Sequence, residues 1–287
     1  MFNCAEIRVS EVTYDVDKIE ELITDRTVAI MLVHVYGNVC NIEEIQRIAD
    51  KYGLKVIYDA AHTFGVKYKD QGIGSFGNVS CFSFHATKVF NTVESVATCF
   101  KDADFGLELY RLKNFGIRVP ERVDGMGANA KINEFCAAMG LCNLRHADEE
   151  IIKRKAVIER HMQHLSGVEG IQLSPEQKNV NPNYAYFPAV FDEKVFGASR
   201  NEVFDALVEQ GIGARKYFYP LINTFDCFYG KYDPHETPIA LHISKRVLTL
   251  PLYAELSLEN MDIICEIILS YKSSYRIKED ENYEGRK

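Results

Sequence analysis

Residues 55–94 read KVIYDAAHTFGVKYKDQGIGSFGNVSCFSFHATKVFNTVE. Asp59 ends one short apolar run, and Lys88 follows the end of a second run at 79–84. Short runs rich in Val, Ile and Phe are typical of buried strands, and the carboxyl ends of parallel strands meet at one edge of an α/β sheet. We therefore expect Asp59 and Lys88 to converge on a single ligand.

The segment before this stretch predicts a βαβ unit. Residues 27–37 form an apolar run that ends at glycine, and Asn41 is placed to cap a helix that stops at Gly53. A strand at 55–58 follows directly. A strand, a helix and a strand at this spacing favour right-handed crossovers and a mostly parallel sheet.

The whole chain of 287 residues predicts a large α/β domain over 1–150 and a smaller α+β domain over 151–275. In the smaller domain we expect a strand at 214–218 and a last helix at 258–272. Residues 276–287 are charged and nearly free of apolar side chains, which indicates a frayed tail.

Composition excludes several classes of protein. The chain is 47% hydrophobic, which suffices for a real core, and its net charge of −8 argues against nucleic-acid or anionic-membrane partners. The apolar runs fall short of the roughly 20 residues of a membrane span. The eight cysteines contain no CxxC pair, and no His/Cys/Asp set shows metal-ligand spacing. These features predict a cytoplasmic protein with reduced thiols and without a metal site.

Five polar residues of the 55–94 stretch could carry chemistry, each with a structural alternative. Lys88 could attack a carbonyl as a neutral amine in a dry site, or be a surface lysine at a strand end. Asp59 could pair with a protonated pyridine nitrogen, or form a cap or ion pair. Ser83 could bind a phosphate, or its own backbone. His62 and His85 could meet a cofactor ring, or be structural histidines.

Seven motifs occur together in one order along the chain. They are HVYG (34–37), DAAH (59–62), GSFG (74–77), FSFHATK (82–88), GANAKINE (127–134), ARKYFYP (214–220) and LPLY (250–253). The set resembles the sugar aminotransferases of the DegT/DnrJ/EryC1/StrS family. The resemblance implies the aspartate-aminotransferase-like fold of pyridoxal 5'-phosphate (PLP) enzymes, which is PLP fold type I.

The resemblance also implies roles for single residues. Lys88 would form the Schiff base with PLP and shuttle the proton during catalysis, and Asp59 would pair with the pyridine nitrogen. Ser83 would bind the cofactor phosphate, and His62, where many relatives carry glutamine, would contact the ring or its phenolic oxygen. Asn129 matches an asparagine that reaches the phosphate of the partner subunit's cofactor, which implies a homodimer.

The implied reaction transfers an amino group, commonly from glutamate, to a keto group of a nucleotide-linked deoxysugar. The stretch HATKVFNT (85–92) most resembles enzymes that make 4-amino-4,6-dideoxyhexoses or similar 3-amino sugars on dTDP, so a dTDP-4-keto-6-deoxyhexose is one example of the implied substrate, for the synthesis of amino sugars or surface polysaccharide. Arg215 and Tyr217 match the small-domain segment that borders the substrate pocket, and His85 is a further candidate for a substrate contact.

Two departures from the family pattern leave an alternative open. Family members usually carry a longer N-terminal part, and residues 2–7 read like the middle of a strand, so we expect an N-terminally truncated member. Ser95 and Val96 stand where relatives have two glycines; if those glycines serve a close backbone approach or positive φ, the loop after Lys88 would be disturbed. The alternative is a non-catalytic remnant, or a fragment that needs an upstream polypeptide.

Overall fold

The structure is a computed structural model that describes residues 15–284, with side chains described as far as residue 272. The strand expected at 2–7 lies outside the described residues. The helices are α1 (Ile42–Tyr52), α2 (Ala103–Lys113), α3 (Glu134–Leu144), α4 (Ala147–Leu165), α5 (Glu193–Phe196), α6 (Arg200–Glu209), α7 (Pro238–Ser244) and α8 (Leu258–Glu284). The strands are β1 (Ala29–Val33), β2 (Lys55–Asp59), β3 (Lys67–Tyr68), β4 (Gln71–Gly72), β5 (Val79–Ser83), β6 (Val96–Phe100), β7 (Ile117–Val119), β8 (Arg122–Val123), β9 (Ile171–Leu173), β10 (Val180–Asn181), β11 (Phe187–Phe191) and β12 (Val247–Leu250).

The chain divides into two compact units. The central-sheet unit comprises residues 23–149 and 178–183, and the C-terminal unit comprises residues 150–177 and 184–284 together with 15–22. Two short segments therefore group differently from the division expected at 150/151. One is 15–22, which belongs to the C-terminal unit, and the other is 178–183, whose strand β10 pairs with β3 of the central-sheet unit.

The central sheet has the strand order β1-β2-β5-β6. The first three strands are parallel, which confirms the prediction of a mostly parallel α/β sheet. Strand β6 is antiparallel to β5. The reason is the connection, because residues 84–95 contain no helix that could carry the chain back across the sheet to a parallel start.

Local signals set the helix between β1 and β2 as expected. The Asn41 side chain accepts a hydrogen bond from the Glu44 N–H at 3.2 Å, and Gly53 ends the helix with φ 64°. The buried face of α1 includes Ile45 and Ile48. The β1 strand is shorter than the apolar run at 27–37, because the chain turns after it through Val35–Gly37.

The core of the C-terminal unit is formed by β11, whose five residues are all buried, and by the faces of α6 and α8 that pack against it.

The prediction of a strand at 214–218 is wrong. Only Arg215 pairs, with Thr249, and the Tyr217 N–H then turns back to the Arg215 carbonyl at 2.9 Å. Helix α8 continues to Glu284 instead of ending at 272, since the tail is rich in Glu, Lys and Arg, which favour helix.

The loop expected at 115–130 contains one hairpin, formed by β7 and β8. Within the described part of the chain, no helix is both long and apolar enough to cross a bilayer.

Candidate active site

The ends of β2 and β5 lie side by side at one edge of the central sheet. Asp59, the last residue of β2, pairs with Cys81, two residues before Ser83 at the end of β5. The backbone of Asp59 is fixed from the other side, because the His34 N–H donates to its carbonyl at 3.0 Å. Its carboxylate Oδ1 accepts the Ala61 N–H at 3.0 Å. Both polar strand ends therefore stand where the sequence predicts.

Lys88 lies on the loop that follows β5. A turn closes behind it, with the Lys88 N–H donating to the His85 carbonyl at 2.9 Å. Partial burial lowers the pKa of the Lys88 ammonium, and the negative charge of Asp59 opposes that shift. Asp59 and Lys88 are thus close enough to interact electrostatically. At a given pH, a larger fraction of Lys88 is neutral than of a free lysine.

His62 is the third member of this group. Its side chain is 8% exposed, and its Nδ1 accepts the Tyr36 N–H at 3.0 Å. Burial, and then the positive charge of Lys88, lower the pKa of His62 to about 4. The imidazole is therefore neutral near pH 7. We call Asp59, His62 and Lys88 the Lys88 cluster.

Ser83, the last residue of β5, and His85, on the loop that follows, lie between Asp59 and Lys88 along the chain. The Ser83 hydroxyl accepts the His85 N–H at 3.4 Å, and His85 is exposed. Its Nδ1 lies 2.9 Å from the Thr87 hydroxyl, and its Nε2 lies 3.3 Å from Oε1 of Glu94. His85 is thus oriented from both ring nitrogens, while its edge remains open to solvent.

The loop after Lys88 is ordered by hydrogen bonds at its two ends. The Phe84 N–H donates to the Ser95 carbonyl at 2.8 Å, and the Thr92 N–H donates to the Phe84 carbonyl at 2.9 Å. The Ser95 and Thr92 hydroxyls bond to each other. Positive φ occurs at Val93 (70°), whereas Ser95 and Val96 have ordinary φ. The disturbance expected from positive φ at these two residues is therefore absent.

Asn129 stands apart from the Lys88 cluster. It is exposed, its backbone forms an isolated bridge with Asn114, and no contact among the described residues joins it to the cluster. A role in the cofactor site would need the partner subunit, as the resemblance implies.

Arg215 and Tyr217 belong to the C-terminal unit, where they contact each other. The Arg215 Nη1 lies 3.5 Å from the Tyr217 hydroxyl, and the guanidinium lies 5.4 Å from the centre of that ring. Burial raises the pKa of Tyr186 and the Tyr217 hydroxyl adds to this, while the charges of Arg215 and Arg154 act against it. Two arginines and two tyrosines thus form one polar group, of which Tyr186 and Arg154 went unrecognised in the sequence.

Two further residues that support His62 were missed as well. Tyr36 contributes its backbone N–H from a turn, and Asn183 donates to the His62 carbonyl at 2.8 Å from 121 residues away. Because Tyr36 acts through its backbone N–H, the identity of its side chain does not indicate this role. The Asn183 contact depends on where a distant segment returns to the sheet.

Comparison with known proteins identifies the family to which the chain belongs. Residues 3–269 match the DegT/DnrJ/EryC1/StrS aminotransferase family. The chain is 40% identical to the dTDP-4-amino-4,6-dideoxy-D-glucose transaminase of Shigella dysenteriae, over 89% of this chain and 69% of that protein. It is 32% identical to the GDP-perosamine synthase of Escherichia coli O157:H7, over 90% of this chain and 69% of that protein.

Among solved structures, DesI, determined in the presence of its TDP-sugar product, superposes with a TM-score of 0.87 at 28% identity. The superposition covers 97% of this chain and 71% of DesI. This likeness confirms the aspartate-aminotransferase-like fold of PLP fold type I. The chain therefore belongs to the DegT/DnrJ/EryC1/StrS aminotransferase family and, with it, to the PLP-dependent sugar aminotransferases.

Proposed function

We propose that the chain transfers an amino group from glutamate to the keto carbon of a nucleotide-linked deoxysugar, such as a dTDP-4-keto-6-deoxyhexose, for the synthesis of amino sugars or surface polysaccharide. The observation that carries the proposal is the Lys88 cluster, in which a half-buried amine is coupled to a carboxylate and to a neutral imidazole. In this reading the central-sheet unit is the PLP-binding large domain, and the C-terminal unit is the small domain.

The polar groups of the Lys88 cluster and of Ser83 fit PLP. Asp59 offers a carboxylate for a protonated pyridine nitrogen, His62 a neutral ring for the phenolic oxygen, and Ser83 a hydroxyl for the phosphate. Lys88 offers an amine whose pKa burial lowers, as covalent attachment to an aldehyde requires. We therefore assign cofactor binding to these four residues, with Asn129 of the partner subunit completing the phosphate site.

The roles of the chain's own groups follow from their charges. Bound PLP supplies an electron sink for the pair of electrons left on the substrate carbon. The Asp59 carboxylate would hold the ring nitrogen protonated, which maintains that sink. Lys88 Nζ has a lowered pKa and so a larger neutral fraction, and it would accept the proton that leaves the amino-bearing carbon and hold it for return. Lys88 is accordingly the proposed catalytic residue.

Three residues are proposed as substrate contacts. His85 presents an exposed ring edge, and Arg215 offers a cation to the phosphates of a nucleotide sugar, with Tyr217 against it. The named relatives act on dTDP and GDP sugars. We propose a dTDP sugar as the substrate, because the chain is more similar in sequence to the dTDP-sugar transaminase than to the GDP-perosamine synthase. Assays on a panel of dTDP-, GDP- and UDP-keto sugars would test that choice.

Substitution of Lys88 tests the proposal directly. Purified chain incubated with PLP should develop the visible absorbance band of the lysine-bound cofactor, and Lys88→Ala should abolish the band and lower amino transfer by at least about 1,000-fold. Lys101→Ala, at an exposed lysine of the same unit, should leave both unchanged. A folded protein that shows no band would contradict catalysis by this chain and favour the non-catalytic alternative, whereas a band that survives Lys88→Ala would contradict the role of Lys88.

A further inference from the structure

The His62 ring is held by a hydrogen bond that fixes its tautomer. The Tyr36 N–H donates to Nδ1 at 3.0 Å, and a nitrogen that accepts a hydrogen bond carries no proton. A neutral imidazole has one protonated nitrogen, so the proton of His62 lies on Nε2. The donor is a backbone amide, which can only donate. A hydroxyl in its place could donate or accept and would leave the tautomer undecided.

The turn that supplies this amide has an unusual conformation. Tyr36 has φ 59° and ψ 5°, a left-handed conformation that costs conformational energy in a residue with a side chain. The turn is secured at its base, where the Cys40 N–H donates to His34 Nδ1 at 3.1 Å and the His34 ring stacks on Tyr58 at 4.6 Å. The strained backbone is therefore held in place, with its N–H directed at His62.

A second support acts on the backbone of His62. The Nδ2 of Asn183 donates to the carbonyls of His62 and Phe64, each at 2.8 Å. Asn183 is 1% exposed, and its segment is attached to the central-sheet unit through the pairing of β10 with β3. One buried amide thus bridges two carbonyls of the same turn, and it fixes the position from which the His62 side chain extends.

The charges around His62 agree with a neutral ring. Lys88 acts on His62, and its positive charge adds to burial in opposing protonation. Asp59 acts in turn on Lys88 and favours its charged form. The surroundings therefore keep His62 a hydrogen-bond donor without making it a cation.

We propose that the Tyr36 amide and Asn183 are positioning groups that lock His62 as the neutral Nε2–H tautomer, so that it presents an N–H donor to the phenolic oxygen of the cofactor. The identity of the acceptor rests on the proposed function, whereas the lock itself does not. The proposal also explains why histidine can stand where relatives carry glutamine, because a glutamine amide donates through its Nε2 in the same way.

The tautomer can be measured in the cofactor-free full chain. Nitrogen-15 NMR of protein labelled at its eight histidines distinguishes protonated from unprotonated ring nitrogens, and loss of one signal set in His62→Gln assigns His62. We expect Nε2–H at neutral pH. In Asn183→Leu we expect mixed tautomers, because the backbone position of His62 is no longer held. Asn181→Leu, at an exposed residue of the same segment, is the matched control and should keep the native tautomer.

An Nδ1–H signal in the native chain would overturn the lock, and so would an Asn183→Leu protein that folds but keeps a single native tautomer. If Asn183→Leu fails to fold, the native tautomer still tests the Tyr36 amide, and Asn183→Ala takes the place of Asn183→Leu in the test of Asn183. The donor role has its own test in PLP affinity, which His62→Gln should retain and His62→Leu should weaken about tenfold. Equal affinity of the two variants would refute that role even if Lys88→Ala confirms the proposed function.

Discussion

The pKa of Lys88 is set by two effects rather than by its position alone. Burial makes the ammonium costly and Asp59 stabilises it, so the pKa reflects the balance of the two. The convergence of Asp59 and Lys88 follows from the sequence, since Asp59 ends one apolar run of a parallel sheet and Lys88 follows the end of another. The state of His62 does not, because its partner is an amide 26 residues away.

Removal of the Asp59 charge should make Lys88 less basic. In Asp59→Asn the ammonium loses its stabilising carboxylate while burial remains, so the pKa of Lys88 should fall further. The neutral amine attacks the cofactor aldehyde, and the midpoint of the pH dependence of PLP attachment should therefore move to lower pH, by about one unit. The rate of appearance of the visible band, measured from acidic to alkaline pH, checks this.

The control for this experiment is Asp25→Asn, the same substitution at an exposed residue of the same unit. It should leave the midpoint in place. A midpoint that stays put in Asp59→Asn, or moves to higher pH, would show that Asp59 does not act on Lys88 as argued.

At the scale of elements, helix α3 sets the position of the loop that carries Lys88. Asn143 donates through Nδ2 to the Asn91 carbonyl at 2.9 Å. Gly140 lies against Thr92, such that a Cβ at 140 would stand 2.7 Å from Thr92 Cγ2. The helix and loop are therefore in contact at a point with no room for one added carbon.

Gly140→Ala should displace the loop and impair the cofactor site. The added methyl forces Thr92 to shift, at a cost of about 1–3 kcal/mol in the free energy of unfolding. We expect weaker PLP attachment, by roughly tenfold, in a protein that still folds. Spectrophotometric titration with PLP and chemical denaturation measure the two effects.

Gly72→Ala is the matched substitution, because nothing lies within 4 Å of a Cβ there and Gly72 has ordinary φ. It should change neither quantity by more than a small amount. Native PLP affinity in Gly140→Ala would mean that the contact with α3 does not position the loop.

At the scale of the whole molecule, the central-sheet unit exposes a large apolar surface on two helices. Helix α2 buries no residue, and α3 buries Cys136 and Gly140 alone. Phe135 is 90% exposed and Leu141 is 66% exposed. Patches of this kind mark protein interfaces, and we propose that a second copy of the chain covers this one, in the homodimer that the proposed role of Asn129 would need.

Phe135→Glu should weaken that dimer. A charge in an apolar interface costs desolvation, so we expect the dimer dissociation constant to rise at least about tenfold. Analytical ultracentrifugation measures the constant, and PLP affinity should fall with dimer content if Asn129 acts across subunits. Val208→Glu, on the exposed face of α6, is the control. Native dimerisation of Phe135→Glu, or a monomeric native chain with full PLP affinity, would contradict the proposal.

The sequence by itself determined the features that depend on neighbours along the chain. Asn41 and Gly53 bound α1 through local caps, and the apolar runs before Asp59 and Lys88 mark strands because burial requires such residues. The ordered motifs determined the family, since they occur as a set. These signals are short-range, and each is complete within a few residues.

Only the tertiary structure decided the direction of β6, the ordinary φ of Ser95 and the contacts that hold His62. An apolar strand pattern is the same whether the strand runs parallel or antiparallel to its neighbour. A glycine in relatives does not reveal whether it allows a positive φ or a close approach of the backbone. Asn183 reaches His62 across 121 residues. Such contacts are fixed by where distant segments return in the fold, and no local pattern encodes them.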